Sequence, residues 1–247
     1  ISEDGKAYGA YWFGIYGGKL GTGAVTTLTG TGTANINTTA IFQLGTVLID
    51  KDLTINMTNV KDTHLRFTDA DVTIKGKFNK EGYGDVKNLI TNSTVTVTGK
   101  NASLNIADDF RVGYDLNNSG VLIDENSTKQ NSVLNVKNGA EVIVGNNAYV
   151  NVGNSININN STFTAKTLEN KGTVNISGAS TLNGGVDAEG AVKAVKVTGS
   201  GNMYLTGAEL DANTAITGNT AYIKAVSGTN KITDSKLEVK ALTHLIQ

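Results

Sequence analysis

Residues able to do chemistry are few and widely separated in this sequence. Cysteine is absent, and the two histidines, His64 and His244, lie far apart in the chain. A thiolate metal site and a three-histidine metal site are therefore excluded. A Ser-His-Asp triad would have to use one of these histidines, and no GxSxG turn accompanies either of them. We predict a protein that is not an enzyme and that uses no metal or cofactor.

Carboxylates leave one catalytic alternative open. Asp108 and Asp109 precede Arg111 in the string ADDFRVGYD, and Asp69 and Asp71 are spaced so that both would lie on one face of a strand. Polysaccharide hydrolases use paired carboxylates of this kind. A polysaccharide-active enzyme therefore remains an alternative, although such acids more often lie in solvated strand edges and corners.

The string DLNNSG, residues 115–120, has the residue types that open an EF-hand calcium loop. The twelfth loop position would be Asn126, where an EF-hand needs a bidentate glutamate, and no helical pattern flanks the string. We interpret this segment as a solvated turn.

Charge and hydropathy exclude two further classes. The net charge is −1, and Arg66 and Arg111 are the two arginines of the chain, so no basic field is present to gather phosphates. Nucleic-acid binding is not expected. Apolar runs are a few residues long, far below the roughly 20 residues that cross a bilayer, so no transmembrane segment is expected.

A recurring pattern of apolar pairs predicts the elements that must position any site. Members of each pair are two residues apart, which places both side chains on one face of a strand. Asn, Gly and Ser, which tolerate the left-handed backbone of tight corners, separate the pairs. In the most regular stretch, residues 131–184, the pairs are Leu134/Val136, Val142/Val144, Val150/Val152, Ile156/Ile158, Phe163/Ala165 and Val174/Ile176.

The spacing of these pairs favours a parallel β-helix, an all-β solenoid with three short strands per coil. Hairpin signals are sparse, which disfavours a sandwich or a barrel, and no fixed blade length indicates a propeller. Leu134 to Ile156 or Ile158 gives about 22 to 24 residues per coil, and hence about ten coils in residues 36–247. Strand-opening Asn92, Asn131 and Asn160 are unevenly spaced, so the coil length must vary. Asparagine and threonine at equivalent corners could form hydrogen-bonded ladders.

Residues 1–35 differ from the rest because they are rich in aromatic residues and glycine. Tyr11, Trp12 and Phe13 belong to a cluster that includes the chain's single tryptophan. A stack of strands exposes an apolar cross-section at its end, so we predict that residues 1–35 form an N-terminal cap. The alternative is an aromatic platform that contacts a sugar or a partner protein.

Two segments interrupt the repeat, and we predict that both project as surface loops. The first is Phe78 to Asn88, with Lys80 and Tyr83, and Lys77 just before it, as candidate partner contacts. The second is Ala107 to Gln130, with Asp115 and Asn117 as candidates. Loops on a rigid scaffold are where binding residues usually lie. The lysines, together with Lys75, are the local cluster through which an acidic glycan could be bound.

Three strings, GTVNISGASTLNG, NSVLNVKNGAEVIVGNNAYVNVG and NSTVTVTGKNASLNI, resemble the passenger domains of bacterial autotransporters, the AIDA-type adhesins and more loosely the VacA-like toxins. The resemblance covers residues 36–240 and rests on texture and spacing, without a catalytic motif. It implies a right-handed β-helix that is exported through the outer membrane and displayed outside the cell. It also implies that the chain is a fragment of a longer passenger.

Four functions remain open at this point. The first is a cell-surface adhesin that attaches to host matrix, to host glycans or proteins, or to copies of itself on other cells. The others are an arm of a VacA-like toxin or oligomer, a structural stalk, and a polysaccharide-active enzyme.

Overall fold

The computed structural model describes residues 12–17, 23–58, 63–82, 87–117, 122–123, 131–218, 222–232 and 236–239. These residues form 23 β-strands and no helix, and hydrogen bonds join the strands into one sheet. The pairs between named strands are parallel throughout. The prediction of an all-β chain of stacked parallel strands is confirmed.

The strands follow one another through short corners. In chain order, the first eight are β1 (Trp12–Tyr16), β2 (Val25–Leu28), β3 (Thr33–Ile36), β4 (Thr39–Ile49), β5 (Thr54–Met57), β6 (Leu65–Ile74), β7 (Lys77–Lys80) and β8 (Asn88–Thr91). The next eight are β9 (Thr94–Thr98), β10 (Ser103–Ile106), β11 (Phe110–Val112), β12 (Val133–Lys137), β13 (Glu141–Val150), β14 (Ser155–Asn159), β15 (Thr162–Asn170) and β16 (Thr173–Ala179). The last seven are β17 (Thr181–Asn183), β18 (Val195–Thr198), β19 (Asn202–Leu210), β20 (Ala215–Gly218), β21 (Tyr222–Ser227), β22 (Lys231–Ile232) and β23 (Lys236–Val239).

Pairing divides the strands other than β22 into three faces, as in a parallel β-solenoid, and the long strands bend from one face to the next. Strand β22 pairs with the second half of β19. Face A consists of β3, β5, β7, β10, the first halves of β13 and β15, and β17. Face B consists of β2, the second halves of β4 and β6, then β9, β12, β14, β16, the first half of β19, and β21. Face C consists of β1, the first halves of β4 and β6, then β8, β11, the second halves of β13 and β15, and β18, β20 and β23.

The register confirms the spacing argument. Leu134 pairs with Ile156 and Val136 with Ile158, one coil apart on face B. Asn92 and Asn131 open strands at the same corner of consecutive coils, because Thr94 pairs with Val133. The large interval between these asparagines is therefore one coil carrying an excursion, so the prediction that coil length varies is confirmed.

The apolar pairs form a continuous core inside the three faces. In β9 the buried Val95 and Val97 alternate with half-buried threonines, as β-branched residues do on a pleated strand with one buried side. Phe42 stacks on Phe67 with ring centroids 5.2 Å apart. One predicted pair is wrong: Val152 is 60% exposed, because the chain turns after Val150.

Single residues with left-handed backbone turn the corner between faces C and B. Leu44, Asp69, Asn92 and Asn131 occupy this corner in consecutive coils, with φ of 57°, 50°, 45° and 77°. Asn92 Nδ2 donates to Asp69 Oδ1 at 2.6 Å. Asn and Asp adopt this conformation at lower cost than most residues, which explains their use at this corner.

Asparagine ladders run along the outer surface. On face B, Asn175 Nδ2 donates to Asn157 Oδ1 at 2.7 Å, and Asn157 Nδ2 donates to Asn135 Oδ1 at 2.8 Å. A second ladder on face A joins Asn56, Asn79 and Asn105 through bonds of 2.9 Å. The pattern predicts ladders at the corners, but these two lie in the middle of flat strands, where the parallel register places identical residues one strand spacing apart.

The described part of residues 1–35 contains strands of the same stack. β1 and β2 pair with β4, and β3 pairs with β5. The half-buried Phe13 packs against the core. The capping role of residues 1–35 and the boundary at residue 35 stay predictions.

Candidate binding surface on face C

One row of outward-facing residues on face C brings arginine, tyrosine and glutamate side chains from consecutive coils into line. Strands β4, β6, β8, β11, β13 and β15 are in register there, and their outward residues alternate with buried core residues. We call this set the face C row: Ile41, Arg66, Leu89, Arg111, Tyr149 and Glu169. Both arginines of the chain belong to it, on either side of Leu89.

Asp109 is the centre of a polar cluster at this row. Its Oδ2 accepts from Arg111 Nη2 at 2.9 Å, and its Oδ1 accepts from the backbone N–H and from Nδ2 of Asn147, both at 3.1 Å. The Tyr149 hydroxyl donates to Oδ2 over a longer 3.5 Å. Charge-assisted bonds of this kind fix geometry better than neutral ones, so this carboxylate holds β11 and β13 together on the outside.

Aromatic contacts complete the cluster. The Arg111 guanidinium lies over the Tyr149 ring, 4.5 Å from its centroid, and Tyr114 meets the same ring edge to face at 6.3 Å. Burial raises the pKa of the Tyr149 phenol above its ordinary value of 10.0; the Asp109 charge adds to the increase, and Arg111 opposes it. Tyr149 is therefore a neutral hydrogen-bond donor at physiological pH.

The backbone leaves face C directly after this cluster and begins the excursion that separates β11 from β12. Gly113 has a φ of 83°, and a Cβ there would lie 2.1 Å from the Asn154 amide, so only glycine fits. Asn151 Nδ2 donates to the Gly113 carbonyl at 3.0 Å, and the Thr91 hydroxyl donates to the carbonyl of Tyr114. The scaffold thus fixes where the excursion starts.

The described residues of the excursion form a narrow, hairpin-like base. Leu116 and Leu122 make an antiparallel bridge, and the Ile123 N–H donates to the Asp115 carbonyl at 3.0 Å. Asp115 and Asn117, two of the predicted partner contacts, lie in this base. The predicted loop Ala107 to Gln130 begins too early, because Phe110–Val112 is strand β11 with two core residues.

The first predicted loop, Phe78 to Asn88, is wrong at both ends. Phe78 is a core residue in β7, and Asn88 is fully buried at the start of β8. Asn88 Oδ1 accepts from the Leu65 N–H at 3.1 Å, and its Nδ2 donates to the Asp109 carbonyl at 3.0 Å. Because this segment is rich in charged residues, its sequence did not indicate strands β7 and β8, whose inward residues continue the core.

Lys80, a predicted partner contact, is only 2% exposed and cannot meet a partner. It occupies an inward position of face A between Met57 and Ile106 of the adjacent coils, and its ammonium donates to the Glu81 carbonyl. Burial lowers the pKa of Lys80 below its ordinary value of 10.5, while the charges of Asp108 and Glu81 oppose this change.

The other predicted contacts do not converge. Tyr11 and Tyr83 lie outside the described residues; Trp12 is in β1, paired with Thr39. Phe13 packs on the core at the β1 end of the stack. Lys77 is exposed at the start of β7 on face A, away from the face C row.

The acids considered for catalysis also separate. Asp108 is buried, whereas Asp109 faces outward and is held by Arg111. Asp69 forms a corner and Asp71 begins the face B half of β6, so the expectation that they share a strand face is wrong. His64 Nδ1 accepts the Lys87 N–H at 2.9 Å.

Sequence reasoning missed Asn147, Tyr149 and Tyr114. Tyr149 lies beside Arg111 in the stack because the two residues are one coil apart in the chain, and that coil includes the excursion. The signal that could have aligned β11 with β13 is the interval between Asn92 and Asn131, which mark the same corner of consecutive coils.

Within the described ranges, no group of three or more His, Asp or Glu side chains is placed to hold a metal ion. The same ranges contain no helix with the length and apolarity needed to cross a membrane. Comparison with protein-family models, with curated proteins and with solved structures finds no match to this chain.

Proposed function

We propose that this chain is part of a bacterial adhesin of the autotransporter passenger type, displayed outside the cell. In this proposal the stack is a right-handed β-helix of about ten coils, and it attaches the bacterium to host matrix or to host-cell glycans or proteins. Two features support it: the resemblance of the repeat strings to such passengers and the parallel stack that those strings form.

The observation that carries the proposal is the anchored excursion of face C. Asp109, Arg111 and Tyr149 form a rigid, aromatic-rich surface beside the point where the chain leaves the stack. Loops fixed at their base by a rigid scaffold lose little entropy on binding, which favours affinity. Tyrosine and arginine are also enriched among residues that dominate binding interfaces.

Binding of the purified chain to immobilised matrix proteins and to a glycan array tests the proposal. A variant in which residues 116–123 are replaced by a Gly-Ser linker should lose binding by about tenfold or more if this excursion carries the contact. The matched control replaces residues 186–192, which form a comparable excursion closed by the Val186–Val192 bridge. Binding to none of the targets, or equal loss in both variants, contradicts the proposal.

Self-association between cells is a second candidate, favoured by the asparagine ladders. Asn157, the central member of the face B ladder, uses one N–H and one oxygen lone pair along the stack, so a second N–H and a second lone pair remain for a partner. Such a surface is self-complementary and needs no charge. Light scattering should then show a concentration-dependent mass above 25.8 kDa. A constant monomer mass up to high concentration, with no clumping of displaying cells, argues against this candidate.

A further inference from the structure

Exposed lysines line the corner between faces B and A in three consecutive coils. This corner follows β6, β9 and β12, which are neighbours on face B, and precedes β7, β10 and β13, which are neighbours on face A. We call the exposed lysines of these three corners the lysine ridge: Lys75, Lys77, Lys100 and Lys137.

The ridge has no counter-charge of its own. None of its ammonium groups makes an ion pair in the part of the chain that the structure describes. The three corner segments, residues 75–77, 98–102 and 137–140, contain no acid. Acids lie only beside them, at Asp50 in the coil before and at Glu141 after the last corner. Because like charges repel, this local excess of positive charge on a chain of net charge −1 favours an anionic partner.

Backbone contacts hold the corners of the ridge in place. The Ser103 N–H donates to the Gly76 carbonyl at 3.1 Å, and the Glu141 N–H donates to the Ala102 carbonyl at 3.1 Å. The last two corners touch, since a Cβ on Gly139 would lie 3.3 Å from the Lys100 Cα. A ligand therefore meets a preformed backbone and orders only the lysine side chains, which lowers the entropic cost of binding.

The spacing of the lysines favours a linear polyanion. Lys75 and Lys137 occupy one row of face B with Thr98 between them, so they are two strand spacings apart, about 10 Å along the stack. Lys100 lies in the corner between these two coils. The charge thus runs parallel to the stack axis, whereas a single oxyanion would contact only one part of it.

The flanks of the ridge suit a saccharide better than a lipid surface. On face B, Asn135 Nδ2 donates to Thr96 Oγ1 at 3.3 Å, and face A carries the asparagine ladder, so amide and hydroxyl groups border the lysines on both sides. Such groups can exchange hydrogen bonds with sugar hydroxyls. Membrane-surface binding commonly adds inserted apolar or aromatic side chains. The large apolar side chains that are exposed in the described residues lie elsewhere: Tyr16, Val25, Leu44, Ile123, Val152 and Val186.

We infer that the lysine ridge binds a linear acidic polysaccharide that lies along the stack, with its sulfate or carboxylate groups against the ammonium groups. This inference goes beyond the proposed function, because it assigns a second contact surface, separate from the excursion of face C. It also corrects the lysine cluster that the sequence suggested: Lys80 is buried and drops out, whereas the register between coils adds Lys100 and Lys137.

Calorimetric titration of the purified chain tests the inference with a heparin-derived hexasaccharide and with neutral N-acetylchitohexaose. We expect the acidic hexasaccharide to bind and the neutral one not to bind. Raising sodium chloride from about 0.05 M to about 0.5 M should weaken the binding, because salt screens contacts between exposed charges.

A triple variant, Lys75→Gln with Lys100→Gln and Lys137→Gln, should weaken binding of the hexasaccharide by about threefold or more. This estimate takes about 1.5-fold to fivefold for each exposed charge contact. The same three positions changed to arginine keep the charge and should retain the affinity within about twofold. The matched control changes Lys166, Lys193 and Lys196 to glutamine, which removes the same charge from exposed positions outside the ridge. Circular dichroism and thermal melting check that every variant is folded.

Four results would overturn the inference. The first is a hexasaccharide that does not bind, and the second is a glutamine variant of the ridge that stays within twofold of the unmodified chain. The third is an equal loss in the control variant, which would indicate attraction by overall charge. The fourth is sodium sulfate, or vesicles of phosphatidylcholine with phosphatidylserine, binding as tightly as the hexasaccharide, which would indicate a single oxyanion site or a membrane surface.

The outcome separates this inference from the proposed function. If the hexasaccharide does not bind but the chain attaches to a matrix protein through residues 116–123, only the ridge is refuted. If the hexasaccharide binds through the ridge but the chain attaches to no matrix protein and no host cell, the adhesin is refuted and the ridge stands.

Discussion

The face B ladder allows a quantitative test of what holds consecutive coils together. Asn157 is its central member: it donates to Asn135 at 2.8 Å and accepts from Asn175 at 2.7 Å. Asn157→Ala removes both bonds and leaves one donor and one acceptor without their partners. Because the three residues are half-buried, water can replace only part of what is lost.

The expected cost follows from these two bonds. A neutral hydrogen bond contributes about 0.5–1.5 kcal/mol net, so losing two should lower the free energy of unfolding by about 1–3 kcal/mol. At about 2–4 °C per kcal/mol for a chain of this size, the melting temperature should fall by about 2–12 °C. The core beneath is unchanged, because Ile156 and Ile158 keep their positions.

Urea titration followed by circular dichroism measures this change, with Asn101→Ala as the control. Asn101 is an exposed turn residue outside the ladders, so its replacement should change stability by less than about 0.5 kcal/mol. An Asn157→Ala midpoint equal to that of Asn101→Ala would refute the view that the ladder contributes to stability. Equal urea slopes in all three proteins are needed, since a changed slope signals a loss of cooperativity between coils.

Two further predictions concern the corner between faces A and C. Lys80→Met should flatten the rise of stability with pH on the approach to pH 10.5. Because burial lowers the folded pKa of Lys80 below its ordinary value of 10.5, the unfolded chain binds more protons than the folded chain there, and stability increases with pH. Urea midpoints of both proteins across this range check it, and parallel pH profiles would contradict it. Gly145→Ala should cost about 1–3 kcal/mol, because a Cβ there would lie 2.2 Å from the Ala107 carbonyl oxygen. Gly32→Ala, where nothing lies within 4 Å, is the control in the same melting assay, and equal melting temperatures would contradict the prediction.

The scaffold could be predicted because its signal is local. Apolar residues two apart, such as Leu134 and Val136, indicate a strand whatever face it joins, and the interval to Ile156 gives the coil. The error at Val152 has the same origin: the spacing of two continues past Val150, but the Asn151 side chain turns inward and the chain bends there.

The outer surface could not be predicted, because it depends on the register between coils of unequal length. Arg111 and Tyr149 are in contact only because the excursion after Gly113 consumes residues without advancing the stack. The prediction for Lys80 is wrong for another reason: a charged residue in an inward position contradicts the binary pattern, and only the pairing with Met57 and Ile106 reveals it.

Scaffold and surface are expected to be energetically separable in this molecule. In a stack of coils each coil contacts mainly its neighbours, so stability is approximately a sum of local terms. The Asn157 ladder on face B shares no hydrogen bond with the Asp109 cluster in the part of the chain that the structure describes. Asn157→Ala should therefore lower stability while leaving attachment to matrix proteins and glycans within about twofold, and replacement of residues 116–123 by a Gly-Ser linker should do the reverse. Coupled losses in either variant would mean that face C depends on the global stability of the stack, and a loss of attachment on replacing residues 116–123 would then no longer identify a binding surface.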